Sequence, residues 1–452
     1  MINMTVTDIA VACGAKIYGT GNENAPVGEL IIDSRLVKPG DLFAAFRGEK
    51  TDGHDYVPIA LQKGASCCLT QREVENAGGL QLVVPDVMQA LEDIAAAARE
   101  RLQIPLVGIT GSVGKTSAKE MISAVLSVKH RVLKTDKNLN NQIGVPMTLS
   151  RITPEHDVAV VEMGISGFGE MHRLSRMVKP QIGVFTVIGH AHLEFLGDLD
   201  GVLRAKTEML DYMDENAILL MNGDDEKLRG FTCRQKKLLF GLGEDCEVRA
   251  EEISFPTPAT TVCTICYGDR RIPTQIPAYG QHMIYAALAG ATVGLVLGMS
   301  DEEIAEGISR FETVGRRGTV TDTGFVTLVD DCYNANPDSV RCGVDSLTKM
   351  LGRAVCILGD MLELGDTGKA LHYGVGQYAA ERGVGLVLGC GELTREACRA
   401  AGERGHWFES REKLIETLPT LLRRGDCVLV KASRGMHFEE ISEAIKLLGD
   451  RE

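Results

Sequence analysis

Short apolar runs alternate with longer segments of helical spacing along nearly the whole chain, the pattern of strands joined by helices. Near the front, the runs at 30–33 and 42–46 read as strands, with Pro39-Gly40 as a turn between them. A loop at 51–54 leads into a helix from about residue 56, and a helix at 88–101 closes the segment. Pro105 precedes a new strand, which puts a boundary near residue 103. From 104 the order is a strand at 106–109, a glycine loop, a helix to about residue 126, then strands at 158–161 and 183–187. That alternation predicts a largely parallel sheet, with the unit ending near residue 315. Strands are expected again at 326–329, 354–358, 384–388 and 427–430, with helices between. The expectation is an α/β chain of three domains: a small α/β unit at 1–103, a central mononucleotide-binding α/β unit at 104–315, and a Rossmann-like α/β unit at 316–452. The last lacks Gly-x-Gly-x-x-Gly after its first strand, which argues against a nicotinamide cofactor.

Length agrees with three units, since 452 residues at about 150 per domain gives that number. A net charge of −14, no dense Lys/Arg cluster and 5% aromatics together argue against a nucleic-acid partner. An anionic ligand must then be held by local groups. The apolar stretch 285–299 contains glycines and is shorter than the roughly 20 residues that cross a bilayer, so it reads as a buried helix and no membrane partner is expected. Residues 1–15 have no basic region followed by a long apolar core, so no signal peptide is expected. Thirteen scattered cysteines fit a reducing compartment, and a cytoplasmic location follows. Cys263 and Cys266 form a lone CxxC in an alternating stretch, which reads as a strand and not a metal site.

The chemistry begins at residues 108–116, Gly-Ile-Thr-Gly-Ser-Val-Gly-Lys-Thr, between a strand and a helix. Backbone N–H groups of Thr110, Gly111, Ser112 and Gly114 at a helix N-terminus suit phosphate oxygens. Lys115 would reach the outer phosphates and the Thr116 hydroxyl would ligate Mg²⁺, the roles of a P-loop in ATP binding. The usual first glycine falls at Ile109 here, and Gly111 is the extra glycine instead. Glu162 ends an apolar strand, placed either to hold Mg²⁺ beside the loop or simply exposed at the strand end. His192 and Glu194 follow another strand and offer metal or substrate contacts. Asn138, Asn140 and Asn141 crowd one loop, either as turn residues or as amides for a polar substrate. Lys206 sits on an expected helix, and the pattern alone reads as a solvent-facing lysine.

Taken together, TGSVGKT, NLNNQIGVP, EMG, HLE and AKTE at these spacings resemble the Mur ligase family. The stretches 330–339 (DDCYNANPDS), 358–365 (LGDMLELG) and 431–434 (KASR) strengthen the likeness, as do Asp33-Ser34-Arg35 and Asp52-Gly53-His54. The resemblance covers nearly the whole chain. It implies an ATP-dependent, Mg²⁺-dependent amide ligase, expected to be a monomer, that joins D-alanyl-D-alanine to a UDP-N-acetylmuramoyl-tripeptide. It implies that Ser34, Arg35, Asp52, Gly53 and His54 hold the nucleotide sugar. Lys115, His192 and Lys206 would be catalytic, with His192 and a carbamate on Lys206 serving a second metal beside the Thr116–Glu162 pair. His282, Arg316, Asp331, Tyr333 and Asn334 would meet ATP. Asn336, Lys431, Ser433 and Arg434 would contact substrate. The stretch 282–289 departs from relatives, which carry asparagine where this chain has Met283 and Ala286.

Overall fold

The computed structural model describes residues 4–449, and their strands form three sheets of five, nine and six members. Residues 1–3, part of the stretch read for a signal peptide, lie outside the described residues. The α/β class expected from the alternation is found.

The nine-stranded sheet carries the phosphate loop. Leu106–Thr110 lies between Val158–Glu162 and Ile182–Phe185, and both pairings are parallel. Ile109 opposes Glu162 and Thr110 opposes Phe185, so the three strands end level with one another. The chain leaves Leu106–Thr110 in one direction, to Val132–Lys134 and back to Val158–Glu162, then crosses to Ile182–Phe185 on the other side. That reversal opens a crevice at the strands' C-terminal ends, where ligands of open α/β sheets bind. The parallel run continues through Ile218–Asn222, Lys236–Gly241 and Val248–Thr257 and finishes in two antiparallel strands, Thr260–Tyr267 and Arg270–Ile276. Cys263 and Cys266 sit on this hairpin, Cys263 Sγ 3.2 Å from Thr274 Oγ1, as the alternation implies for a strand.

Helix packing on this sheet follows from composition. Gln281–Val296 is apolar nearly all round and is buried as expected from the 285–299 stretch. It lies against Lys115–Leu126 so closely that a Cβ on Gly290 would come 3.0 Å from Met121 Cγ. The opposite face of the sheet is covered by Gly144–Ser150, Glu170–Val178 and Leu199–Thr207.

The five-stranded sheet runs Lys16–Tyr18, Gln81–Val83, Cys67–Thr70, Leu42–Ala44, Leu30–Ile31. Its closing helix, Val87–Glu100, also docks on the central unit. Buried Arg99 donates to Val178 O at 2.7 Å and to Lys179 O at 3.2 Å, satisfying carbonyls at the end of Glu170–Val178. Arg176 pairs with Asp93 at 2.7 Å across the same contact.

The six-stranded sheet has the order Thr319–Asp322, Thr327–Asp330, Cys427–Lys431, Ala354–Gly359, Leu386–Cys390, Gly405–Phe408, parallel except for the first pair. Asp330 opposes Val430 and Leu358 opposes Lys431. The loops after Asp330 and Lys431 line the phosphate-loop crevice, and the loop after Gly359 reaches it through Glu363, which bonds His192.

Candidate active site

The phosphate loop is shaped by two glycines in the left-handed region, Gly111 at φ +147° and Gly114 at φ +84°. A Cβ on Gly111 would fall 1.9 Å from Thr186 Oγ1, so only glycine lets the loop turn against the neighbouring strand. Ile109 needs no such freedom: it is still in the strand and fully buried in the core. The shift of the glycine from 109 to 111 thus leaves the loop intact. Lys115 opens the helix Lys115–Leu126, and its Nζ lies across the loop, donating to Gly111 O at 2.6 Å. Burial lowers the Lys115 pKa; Glu162 opposes this and Arg317 adds to it.

Beside the loop, Thr116 Oγ1 donates to Glu162 Oε2 at 2.9 Å, and both side chains are buried. Glu162 is therefore not an exposed strand end. Its other oxygen accepts from Asn140 Nδ2 at 2.8 Å. Lys119, one turn beyond Lys115, is fully buried and lies 3.9 Å from Glu162 and 2.9 Å from Glu120. A hydroxyl and a carboxylate at this spacing are hard oxygen donors of the kind Mg²⁺ takes. Among the described residues no trio of His, Cys, Asp or Glu forms a ready-made metal cage.

Lys206, on the helix Leu199–Thr207, is only 1% exposed, so the solvent-facing reading fails. Burial and the charge of Lys115 push its amine well below the ordinary lysine value. His192 lies on the cavity wall with φ +55°, and its Nδ1 is 2.5 Å from Glu363 Oε2. Glu363 is also left-handed, at φ +61°, so two strained non-glycine residues meet here. Burial lowers the His192 pKa against the opposing pull of Glu363.

Lys115, Thr116, Asn140, Glu162 and His192 line a cavity of about 640 Å³ whose far wall belongs to the six-stranded sheet, whereas buried Lys206 does not line it. Lys431, 2% exposed, donates to Asp331 Oδ2 at 2.5 Å and to Asn334 O at 3.1 Å, pinning the loop after Asp330. The Tyr333 ring carries two guanidiniums, Arg317 at 3.7 Å from its centroid and Arg434 at 4.9 Å. His282 lines the cavity too, with Nδ1 buried and unpaired among the described residues.

Other expected residues lie elsewhere or act structurally. Arg316 turns away and pairs with Asp330 and Glu443 at 2.7 Å each; its neighbour Arg317 takes the cavity wall. Thr110 Oγ1 is buried beneath the loop with no partner among the described residues, and Thr110 does not line the cavity. Glu194 is exposed and off the cavity. Asn138 and Asn141 rim the cavity, but the Asn141 Oδ1 accepts from the N–H groups of Ile143 and Gly144, opening Gly144–Ser150. Asn336 caps Pro337–Leu347 through a 2.8 Å bond from Ser339 N, a capping box, although it also reaches the cavity. Ser433 Oγ accepts from Leu362 N at 3.0 Å and donates to Ala335 O at 3.3 Å, tying two loops together.

The front residues do not join this cavity. His54 is buried, with Nδ1 2.6 Å from Asp52 Oδ1 and Nε2 accepting from Gln71 N at 2.9 Å. A Cβ on Gly53 would lie 2.6 Å from Phe46 O, so Gly53 serves a close approach of backbone. Lys63 Nζ binds the Ser34 carbonyl at 3.0 Å, and the Arg35 side chain, 87% exposed, folds onto Asp33. Ala286 is buried in the core and away from the cavity wall. Sequence reasoning passed over Arg317, Glu363, His190 and Asp338; Glu363 and Asp338 lay inside quoted motifs but had no chemical signal of their own.

Three family models match the chain: the Mur ligase family catalytic domain at 27–99, the Mur ligase middle domain at 109–294, and the Mur ligase glutamate ligase domain at 309–434. The chain is 32% identical to the UDP-N-acetylmuramoyl-tripeptide–D-alanyl-D-alanine ligase of Bacillus subtilis, covering 98% of each sequence. It is 33% identical to the Escherichia coli enzyme of the same name over 99% of each. A crystal structure of MurF from Acinetobacter baumannii superposes with a TM-score of 0.90 at 29% identity, covering 98% of both chains. MurF from Thermotoga maritima, in complex with ADP, superposes at 0.84 with 26% identity, covering 94% of this chain and 98% of that one. With matching domain models, relatives aligned end to end and the same architecture, the chain belongs to the Mur ligase family.

Proposed function

We propose that the chain is an ATP-dependent amide ligase that joins D-alanyl-D-alanine to a UDP-N-acetylmuramoyl-tripeptide, releasing ADP and phosphate in the cytoplasm. One observation carries this reading: a phosphate loop with its Thr116–Glu162 pair faces Asp331, Tyr333, Lys431 and Arg434 of a second sheet across one cavity. The names of the full-length relatives support the choice of substrates, and the ADP complex of a neighbour supports the nucleotide. We assign nucleotide-sugar binding to residues 1–103, ATP binding to 104–315 and admission of the dipeptide to 316–452. The cavity is lined by residues of a single chain, and we take the working unit to be a monomer. No helix among the described residues is long and apolar enough to cross a membrane.

A carboxylate is a poor electrophile because it is anionic and has no leaving group. Transfer of the γ-phosphoryl group to one carboxylate oxygen breaks the phosphoanhydride bond and makes an acyl phosphate and ADP. The dipeptide amine then attacks the acyl carbon, a proton leaves the nitrogen, and the carbon–oxygen bond to phosphate breaks. The chain's work is positioning and charge stabilisation. The N–H groups of the loop and Lys115 cradle the phosphates. Lys431 holds Asp331 and Asn334 in place on the opposite wall.

Thr116 and Glu162 would hold Mg²⁺, which offsets phosphate charge when bound. His192 and Lys206 would serve a second ion. Lys206 is buried with no carboxylate raising its pKa, so its neutral amine is favoured. A neutral amine can add CO₂ with loss of one N–H proton to solvent, and the resulting carbamate would supply the anionic oxygen that an ammonium cannot.

The test is phosphate release against a panel of acceptors. The chain should turn over with UDP-muramoyl-tripeptide only when D-alanyl-D-alanine is present. Equal turnover with a free single amino acid would overturn the assignment.

A further inference from the structure

Asp338 lies in the first turn of Pro337–Leu347, directly after the cavity residues Asn334, Ala335 and Asn336. Its carboxylate does not serve its own helix alone. Oδ2 accepts from the backbone N–H of His190 at 2.6 Å, and the His190 ring Nδ1 lies 3.1 Å from the same oxygen. His190 belongs to the loop after Ile182–Phe185, on the central sheet. The opposite side of that loop is bound to the phosphate loop. Ser112 N donates to Val187 O at 2.7 Å, Gly189 N donates to Ser112 Oγ at 3.0 Å, and the hydroxyl donates to Gly189 O at 3.0 Å. Segment 187–190 is thus a spacer only one strand thick, with the phosphate loop on one side and a carboxylate of the other sheet on the other.

Gly189 makes the arrangement possible. A Cβ there would lie 2.4 Å from Asp338 Oδ2 and 3.5 Å from Ser112 Cβ. Gly189 is not among the positive-φ glycines, so its backbone would accept alanine; what a side chain there would displace is the seated carboxylate.

We infer that Asp338 is a positioning residue: by capturing the His190 N–H through the gap at Gly189, it sets the distance between the phosphate loop and the Tyr333–Asn336 wall. The inference rests on the proposed ligase reaction, which needs groups from both walls on one acyl phosphate. A displacement of about 1 Å in such a geometry can cost about a hundredfold in rate.

Four variants test it: Asp338→Ala, Asp338→Asn, Gly189→Ala and the Gly189→Ala/Asp338→Ala double. Turnover with D-alanyl-D-alanine is measured beside calorimetric Kd values for ADP and for the UDP-tripeptide, and thermal midpoints. Asp338→Ala should lower kcat by about tenfold or more while both Kd values hold within about twofold, because the phosphate loop that seats ADP and the front unit that seats the UDP-tripeptide are both left intact. Asp338→Asn keeps an oxygen acceptor for the His190 N–H and should recover most of the loss. Gly189→Ala should reproduce the Asp338→Ala defect with every charge retained. The double variant should be no worse than either single, since removing the carboxylate makes room for the Cβ. Wild-type kcat in Asp338→Ala, no recovery in Asp338→Asn, multiplicative losses in the double, or loss of ADP binding and stability in step with kcat would each overturn the inference. A wild-type enzyme inert toward the dipeptide would instead overturn the ligase reading, and this inference with it.

Discussion

Two lysine amines, at 115 and 206, share one field, and their surroundings divide their tasks. Lys115 has Glu162 near enough to oppose its desolvation, so it keeps a reason to be charged. Lys206 is pushed down both by burial and by Lys115. Lys115→Ala should reduce turnover by about 10²–10³-fold, the usual cost of removing a preorganised charge stabiliser. UDP-tripeptide binding, followed by calorimetry, should be nearly unchanged; parallel loss of both would show that the lysine is structural. Lys206→Ala should abolish most turnover while the thermal midpoint holds or rises, since a buried amine without a carboxylate partner is removed. A silent Lys206→Ala would remove it from the reaction. Residue identity was legible for both lysines, but burial was not: AKTE on a helix looks the same whether its lysine faces water or core. Arg316 and Arg317 pose the same problem, because adjacent arginines point opposite ways and only the fold decides which one reaches the cavity.

At the scale of elements, the phosphate loop was readable because its strand, turn and helix each carry a local signal. Even its irregular glycine spacing has a local reason, the buried strand position of Ile109. Gly111→Ala tests that account. Its Cβ would meet Thr186 Oγ1 in a backbone region that L-residues avoid, costing roughly 1–3 kcal/mol. A matching fall in stability and a loss of nucleotide binding are expected; an unchanged ADP Kd would mean that the loop tolerates another turn. The antiparallel finish of the central sheet was less legible, since only one of its strands, at 261–267, stood out by alternation. The asparagines illustrate a different limit. Asn140 reaches Glu162 while Asn141 opens a helix, although both lie in the same polar run. Asn141→Ala should therefore cost about 1 kcal/mol of stability, the scale of a lost helix-terminus bond, with kcat little altered. A large fall in kcat at unchanged stability would return Asn141 to the substrate.

At the scale of the whole molecule, the cavity joins residues more than three hundred positions apart, such as Lys115 and Lys431. No local pattern reports such a meeting. The resemblance of the motifs to one family anticipated it, while the contacts that fix it, Asp338 with His190 and Glu363 with His192, had no sequence signal. The expected nucleotide-sugar residues of the front unit lie in the turn after Leu30–Ile31 and at the start of the short helix Gly53–Tyr56, apart from this cavity. The central claim is that one oxygen of the tripeptide carboxylate passes to phosphate as the amide forms. The most direct measurement is mass spectrometry of the products made from a UDP-tripeptide labelled with ¹⁸O in its terminal carboxylate. The account predicts one labelled oxygen in the released phosphate for each amide formed. Unlabelled phosphate accompanying the amide would contradict it.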